Sequence, residues 1–174
     1  RNKLSPELIA DYMDKLNDCY LLFTVPVRSY NIAVRAVNPK KVYCIDHAIA
    51  QAFNQPGSDN NGLVLENIVY VNLRRTTEQI YYYKTKKGHE IDFAVGPDCA
   101  IRLIQVCWAL GKHSKTNQRE MYALLEGMEE LQLQESWIIT AYEEYEYKDE
   151  ETGRLIHIVP AYKWLLQSSS TETV

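Results

Sequence analysis

The chain has 174 residues, 46% hydrophobic and 24% charged, which suits one domain with a real core. No apolar run approaches bilayer-spanning length and no signal peptide is visible, so a cytoplasmic protein with no membrane partner is expected. A net charge of −4 argues against tight, non-specific nucleic-acid binding, which needs a basic footprint. The four cysteines, Cys19, Cys44, Cys99 and Cys107, make no CxxC pair and no zinc-spaced cluster, the pattern of reduced thiols.

Ser5-Pro6-Glu7 predicts a helix start: a Ser cap, Pro in the first turn and an acid at the positive end of the dipole. That helix should run to about Asn17. Tyr20 to Val27 reads as a strand, with Asn31 to Val37 as its partner strand. Val42 to Ile45 reads as a short buried strand, and Asp46 as the cap of a helix toward Phe53. Residues 55–62 form a loop by composition. Gly62 to Leu73 is a helix, apolar at Leu65, Ile68, Val69 and Leu73.

Ile80 to Val95 reads as a hairpin. In Gly88-His89-Glu90-Ile91-Asp92-Phe93-Ala94-Val95, period-two alternation puts Ile91, Phe93 and Val95 on one face and Glu90 and Asp92 on the other. The next strand, Ile101 to Cys107, puts Gln105 and Cys107 on a shared face. Asn117 and Glu120 read as a capping pair for a long helix with Met121, Leu124, Leu125, Met128 and Leu131 at core spacing. Trp137 to Ala141 is a further strand. Tyr142 to Val159 reads as a solvent-facing hairpin, Pro160 opens a last helix to Leu166, and residues 168–174 form a polar tail. The order of elements predicts a mixed α/β fold, a mixed sheet covered by helices.

The run G-x-E-I-D-F, a turn, then an apolar strand ending Q-x-C resembles the core of the PD-(D/E)XK, or restriction-endonuclease-like, superfamily. More narrowly, six pieces occur in the order of one family, the C-terminal domain of unassigned function that follows an AAA+-type ATPase domain in bacteria and archaea. They are Lys41 to Asp46, Gly62 to Asn67, Gly88 to Phe93, Leu103 to Cys107, Thr116 to Leu124, and Ile158 to Leu166. The resemblance implies a restriction-endonuclease-like core over 41–167. Before it comes an N-terminal helix-plus-strands extension over 1–40, the possible end of a winged-helix-like region. A chain that begins at Arg and lacks a Walker-type loop fits a piece without its ATPase half. The implied partners are that ATPase domain and DNA.

In this superfamily an Asp on one strand and an acid on the next bind Mg²⁺, a helix Glu assists, and a Lys two residues after the second acid positions the attacking water. Carried onto this chain, the metal set is Glu66, Asp92 and Gln105, with Cys107 at the Lys position. Gln105 keeps an oxygen but brings no charge, and Cys107 cannot replace an ammonium. Arg119, on the following helix, is the candidate substitute cation, which makes the implied catalytic set Glu66, Asp92, Gln105 and Arg119. Gln118 and Tyr122, spaced i, i+4, match a Q-x-x-x-Y feature of the exonuclease branch. With Lys84, Lys86 and Lys87 they are the candidate nucleic-acid contacts. The activity so implied is a degenerate Mg²⁺-dependent deoxyribonuclease; the alternative is a non-catalytic nucleic-acid- or protein-binding module that regulates the ATPase. Without the resemblance, Glu90 and Asp92 read as the solvated face of a half-buried strand.

Overall fold

The computed structural model describes residues 5–52, 60–111 and 115–168, the side chains of 115–118 and 167–168 excepted. Phe53, most of the 55–62 loop and the tail beyond 168 lie outside the described residues. Helix α1 (Pro6–Asp18) begins where the sequence predicts, with the Leu8 amide donating to Ser5 Oγ at 3.2 Å. Strand β1 (Leu22–Val25) follows, then α2 (Ile32–Val37) and β2 (Lys41–Cys44). The expected strand at Asn31–Val37 is therefore a helix. Asn31 Oδ1 accepts from the Ala33 amide at 2.9 Å, a local cap that outcompetes the β-branched residues. The partner of β1 is β2 instead, antiparallel from Leu22 opposite Cys44 to Val25 opposite Lys41.

After α3 (His47–Ala52), capped by Asp46, comes α4 (Asn61–Thr76). The main sheet is built from β3 (Ile80–Lys84), β4 (Glu90–Val95), β5 (Arg102–Val106), β6 (Glu135–Thr140), β7 (Tyr145–Lys148) and β8 (Leu155–Pro160). Its order is β3-β4-β5-β6-β8-β7. β3, β4 and β5 are antiparallel neighbours, while β6 lies parallel to both β5 and β8. Helix α5 (Lys115–Glu130) makes the β5-to-β6 crossover that a parallel pair requires, and α6 (Ala161–Ser168) follows β8. The sheet is mixed and flanked by helices, as expected.

Two details depart from the sequence reading. The 142–159 segment is not wholly solvent-facing. β7 is an exposed edge, but β8 sits between β6 and β7 with Ile156 and Ile158 buried. Helix α5 begins at Lys115, so Asn117 lies within it rather than capping it.

Each face of the sheet has its own core. α4 and α6 cover one, bringing Leu65, Val69, Tyr70 and Trp164 onto Tyr82, Phe93 and Ile104. α5 covers the other, with Leu124 and Met128 on Leu103, Ile138 and Ile156. Met121 and Leu125 are only partly buried against that second core. Each fully buried large aliphatic or aromatic side chain stabilises the fold by about 1.5–3 kcal/mol. Gly127 lets α5 approach closely, because a Cβ there would meet Ile91 Cδ1 at 2.5 Å. This explains a residue that otherwise costs a helix about 1 kcal/mol.

Candidate functional site

The site begins with an irregularity in β4. Tyr81 lies opposite Ala94, but Tyr83 lies opposite Ile91, so two steps along β3 match three along β4. The extra residue makes a bulge at Asp92-Phe93. It breaks the alternation expected from the sequence. Ile91 packs in the core under α5, whereas Phe93 packs in the core under α4. Ile91, Phe93 and Val95 therefore do not share a face, and the Asp92 carboxylate is turned toward β2 and α4.

Asp92 also ends a ladder. β4 and β5 pair from Val95–Arg102 to Phe93–Ile104 and no further. Beyond that point, side chains take the place of backbone bonds. Asp92 Oδ2 accepts from the Val106 amide at 2.9 Å, and Gln105 Oε1 accepts from the Asp92 amide at 3.0 Å. Buried amides must find acceptors, and here the two polar side chains supply them.

On the α4 side, Asp92 and Glu66 meet the ammonium of Lys41. Lys41 Nζ donates to Asp92 Oδ1 at 2.7 Å and to Glu66 Oε1 at 3.1 Å, and lies 3.2 Å from Glu90 Oε1. Lys41 and Tyr43 alternate onto the same face of β2, and Tyr43 Oη donates to Glu66 Oε1 at 2.6 Å. Asn67 fixes the strand to the helix. Its Oδ1 accepts from the Cys44 amide at 2.8 Å and its Nδ2 donates to the Cys44 carbonyl at 2.9 Å. Burial lowers the affinity of Lys41 for its proton, but the Asp92 and Glu66 carboxylates outweigh burial and hold the ammonium above its ordinary value. Burial, then the nearby Glu66 carboxylate, push Asp92 up to about 7, against the pull of Lys41. Burial, then Glu66, also raise Tyr43, which stays a neutral donor.

On the α5 side, Gln105 Nε2 donates to Glu120 Oε2 at 2.5 Å, and Arg119 Nη2 donates to Glu120 Oε1 at 2.7 Å. Asp92 stands where the two sides meet. It lines a cleft of about 580 Å³ with Lys41 and Glu66, and one of about 330 Å³ with Gln105 and Glu120.

Of the residues expected at the site, Glu66 and Asp92 come together. Gln105 does not join them: its oxygen serves a backbone amide and its nitrogen serves Glu120. The Arg119 guanidinium rests on Glu120, not on the Asp92–Glu66 pair, and is largely exposed. Burial, then Glu120, push the Cys107 thiol up to about 12, so it is neither base nor nucleophile near neutrality. Lys84 lies exposed at the end of β3, and Lys86 and Lys87 lie exposed on the β3–β4 turn, where their amides donate to Glu130 and Glu126. Tyr122 is 65% exposed beside β7, away from Asp92. The side chain of Gln118 lies outside the described residues.

Sequence reasoning missed Lys41, Tyr43, Asn67 and Glu120 as site residues. Lys41-x-Tyr43 was the available signal: two polar-headed side chains on one strand face. The oxygens of Glu66 and Asp92 that would bind Mg²⁺ both hold an ammonium. Among the described residues, no three His, Cys, Asp or Glu side chains form a metal-holding group. As arranged, the donor set does not fit a hexacoordinate ion.

The family described as Domain of unknown function (DUF4143) matches residues 61–164, more than half of the chain. The chain belongs to that family. Within the match lie Glu66, Asp92, Gln105, Arg119 and Glu120; Lys41 and Tyr43 lie before it. An uncharacterised protein of Methanocaldococcus jannaschii is 34% identical over 94% of this chain. The chain spans 37% of that relative's length. No solved structure matches the chain. Among the described residues, no helix is long and apolar enough to cross a membrane.

Proposed function

We propose that this DUF4143 chain is a PD-(D/E)XK-like domain without metal-dependent cleavage, acting as a binding and regulatory module of an AAA+-type ATPase. The single observation that carries the reading is the position of Lys41. Metal-assisted phosphodiester hydrolysis needs a dication that lowers the pKa of water and stabilises the developing charge. Here a lysine ammonium bridges the two acids that such an ion would need. An ammonium donates hydrogen bonds but offers no open coordination position for water or phosphate. Cys107, held neutral, adds no cation at the water-positioning place. The ATPase link is supported by the family resemblance and by the greater length of the archaeal relative.

The test is DNA cleavage by the purified chain in Mg²⁺ and in Mn²⁺, with Asp92→Ala and Cys107→Lys alongside. The expected result is no cleavage by the wild type. Wild-type cleavage abolished by Asp92→Ala would overturn the reading. One observation favours the rival: Lys41 is a lysine next to the acid pair and would supply the cation missing at position 107. On that reading Lys41→Ala abolishes cleavage together with Asp92→Ala, a loss of about 10²–10⁴-fold if the lysine assists proton transfer.

A further inference from the structure

At the opposite edge of the sheet, α5 and β7 enclose a groove of about 1050 Å³. Its floor is apolar and aromatic: Leu110, Met121 and Leu125 beside Tyr145 and Tyr147. Tyr145 and Tyr147 are 48% and 37% exposed, unusual for aromatic rings on a sheet face. The rim is acidic. From Tyr142 to Glu151, six of ten residues are acids and Lys148 is the single base, an excess larger than the −4 of the whole chain. Some of these acids have internal work. Both Glu143 carboxylate oxygens accept from the Leu110 amide, and Glu144 pairs with Lys163 at 2.5 Å. Glu150 and Glu151 form no ion pair among the described residues.

We infer that this groove docks an extended basic peptide segment of a partner protein. Three independent features select that occupant. β8 covers one edge of β7, and the other edge carries no strand among the described residues, so an extended segment can add to the sheet there. The apolar floor takes alternate side chains of such a strand, because every second residue faces the same way. The carboxylate rim attracts lysine or arginine heads and repels phosphates, which disfavours nucleic acid and anionic lipid alike. Tyr122 therefore contributes to a protein-binding surface rather than to a DNA contact. The inference does not depend on whether the Lys41 site is catalytic.

The experiment is fluorescence anisotropy of the wild-type chain with a labelled peptide of about ten residues, alternating lysine and leucine, a length one strand can pair. A lysine–serine peptide of equal charge is the control for mere electrostatics. The double variant Glu150→Lys/Glu151→Lys leaves four acids against three bases in the rim, nearly neutralising it without touching the core. Saturable binding of the lysine–leucine peptide is expected. It should weaken by about tenfold or more, or 1.4 kcal/mol, in the rim-neutralised variant and with the lysine–serine peptide. Lys15→Glu, on the exposed helix α1, should leave it unchanged. Absence of saturable binding, equal binding by the rim-neutralised variant, or equal binding of the lysine–serine peptide would each overturn the inference. Circular dichroism of the rim-neutralised variant checks that it folds.

Discussion

The two ends of the main sheet handle acidic residues in opposite ways. Near β4, Asp92 is buried and Glu66 partly so, both are aimed at one ammonium, and Asp92 Oδ1, Asp92 Oδ2 and Glu66 Oε1 each accept a hydrogen bond. Near β7, the acids outnumber the bases, and Glu150 and Glu151 face solvent with no ion pair among the described residues. Buried charge must be compensated from within the molecule, because leaving it unpaired costs several kcal/mol. Exposed charge costs little and remains available to a partner. The lesson is that acid content alone does not locate a site. The pairing of those acids separates internal scaffolding from a surface built for recognition.

The sharpest way to break the contrast is to remove the internal cation. Lys41→Met keeps the stem but leaves Glu66 and Asp92 facing each other. Loss of one partner from a buried pair is expected to cost about 3–5 kcal/mol, measured by urea unfolding. A cost below that of an ordinary surface pair would mean that solvent already screens the cluster. Gly127→Ala probes the packing behind the bulge. Its Cβ would collide with Ile91, next to Asp92, so a loss of about 1–3 kcal/mol is expected despite better helix propensity. A stabilised variant would show that α5 sits more loosely on β4 than the structure has it.

Asp92→Asn sharpens the comparison through pH. The folded-state value near 7 lies above the ordinary 3.8, so the native state holds the Asp92 proton more tightly than the unfolded chain. The stability Asp92 contributes is therefore full below about pH 4 and is lost as pH rises through about 7. Asparagine carries no such proton. The difference in unfolding free energy between wild type and Asp92→Asn should shift in the variant's favour across that window. A difference independent of pH would contradict the burial assigned to Asp92. The smallest effect belongs to the other edge: Glu150→Lys alone should change stability by no more than about 0.5 kcal/mol, read by thermal unfolding.

Local signals were legible in the sequence where a few adjacent residues decide the outcome. Ser5-Pro6 starts α1, Asp46 caps α3, and the β3–β4–β5 meander lies where the alternation places it. The sequence misled where one residue changes the count. No residue type announces the bulge at Asp92-Phe93, yet it puts Ile91 and Phe93 on opposite faces. The β-branched run at Asn31–Val37 reads as a strand because the Asn31 cap is a single contact among many strand-forming side chains. Glu66 and Asp92 were legible as a pair only through the family resemblance. Lys41 was not, because it reaches Asp92 across 51 positions of chain through the docking of β2 on α4.

The Lys41 ammonium is proposed to stand in place of a metal ion between Glu66 and Asp92. Calorimetric titration of Mn²⁺ into the wild-type chain measures whether a dication takes that place. The result expected is no saturable heat from this site, with identical traces for wild type and Asp92→Asn. A saturable Mn²⁺ site in the wild type that disappears in Asp92→Asn would contradict the claim.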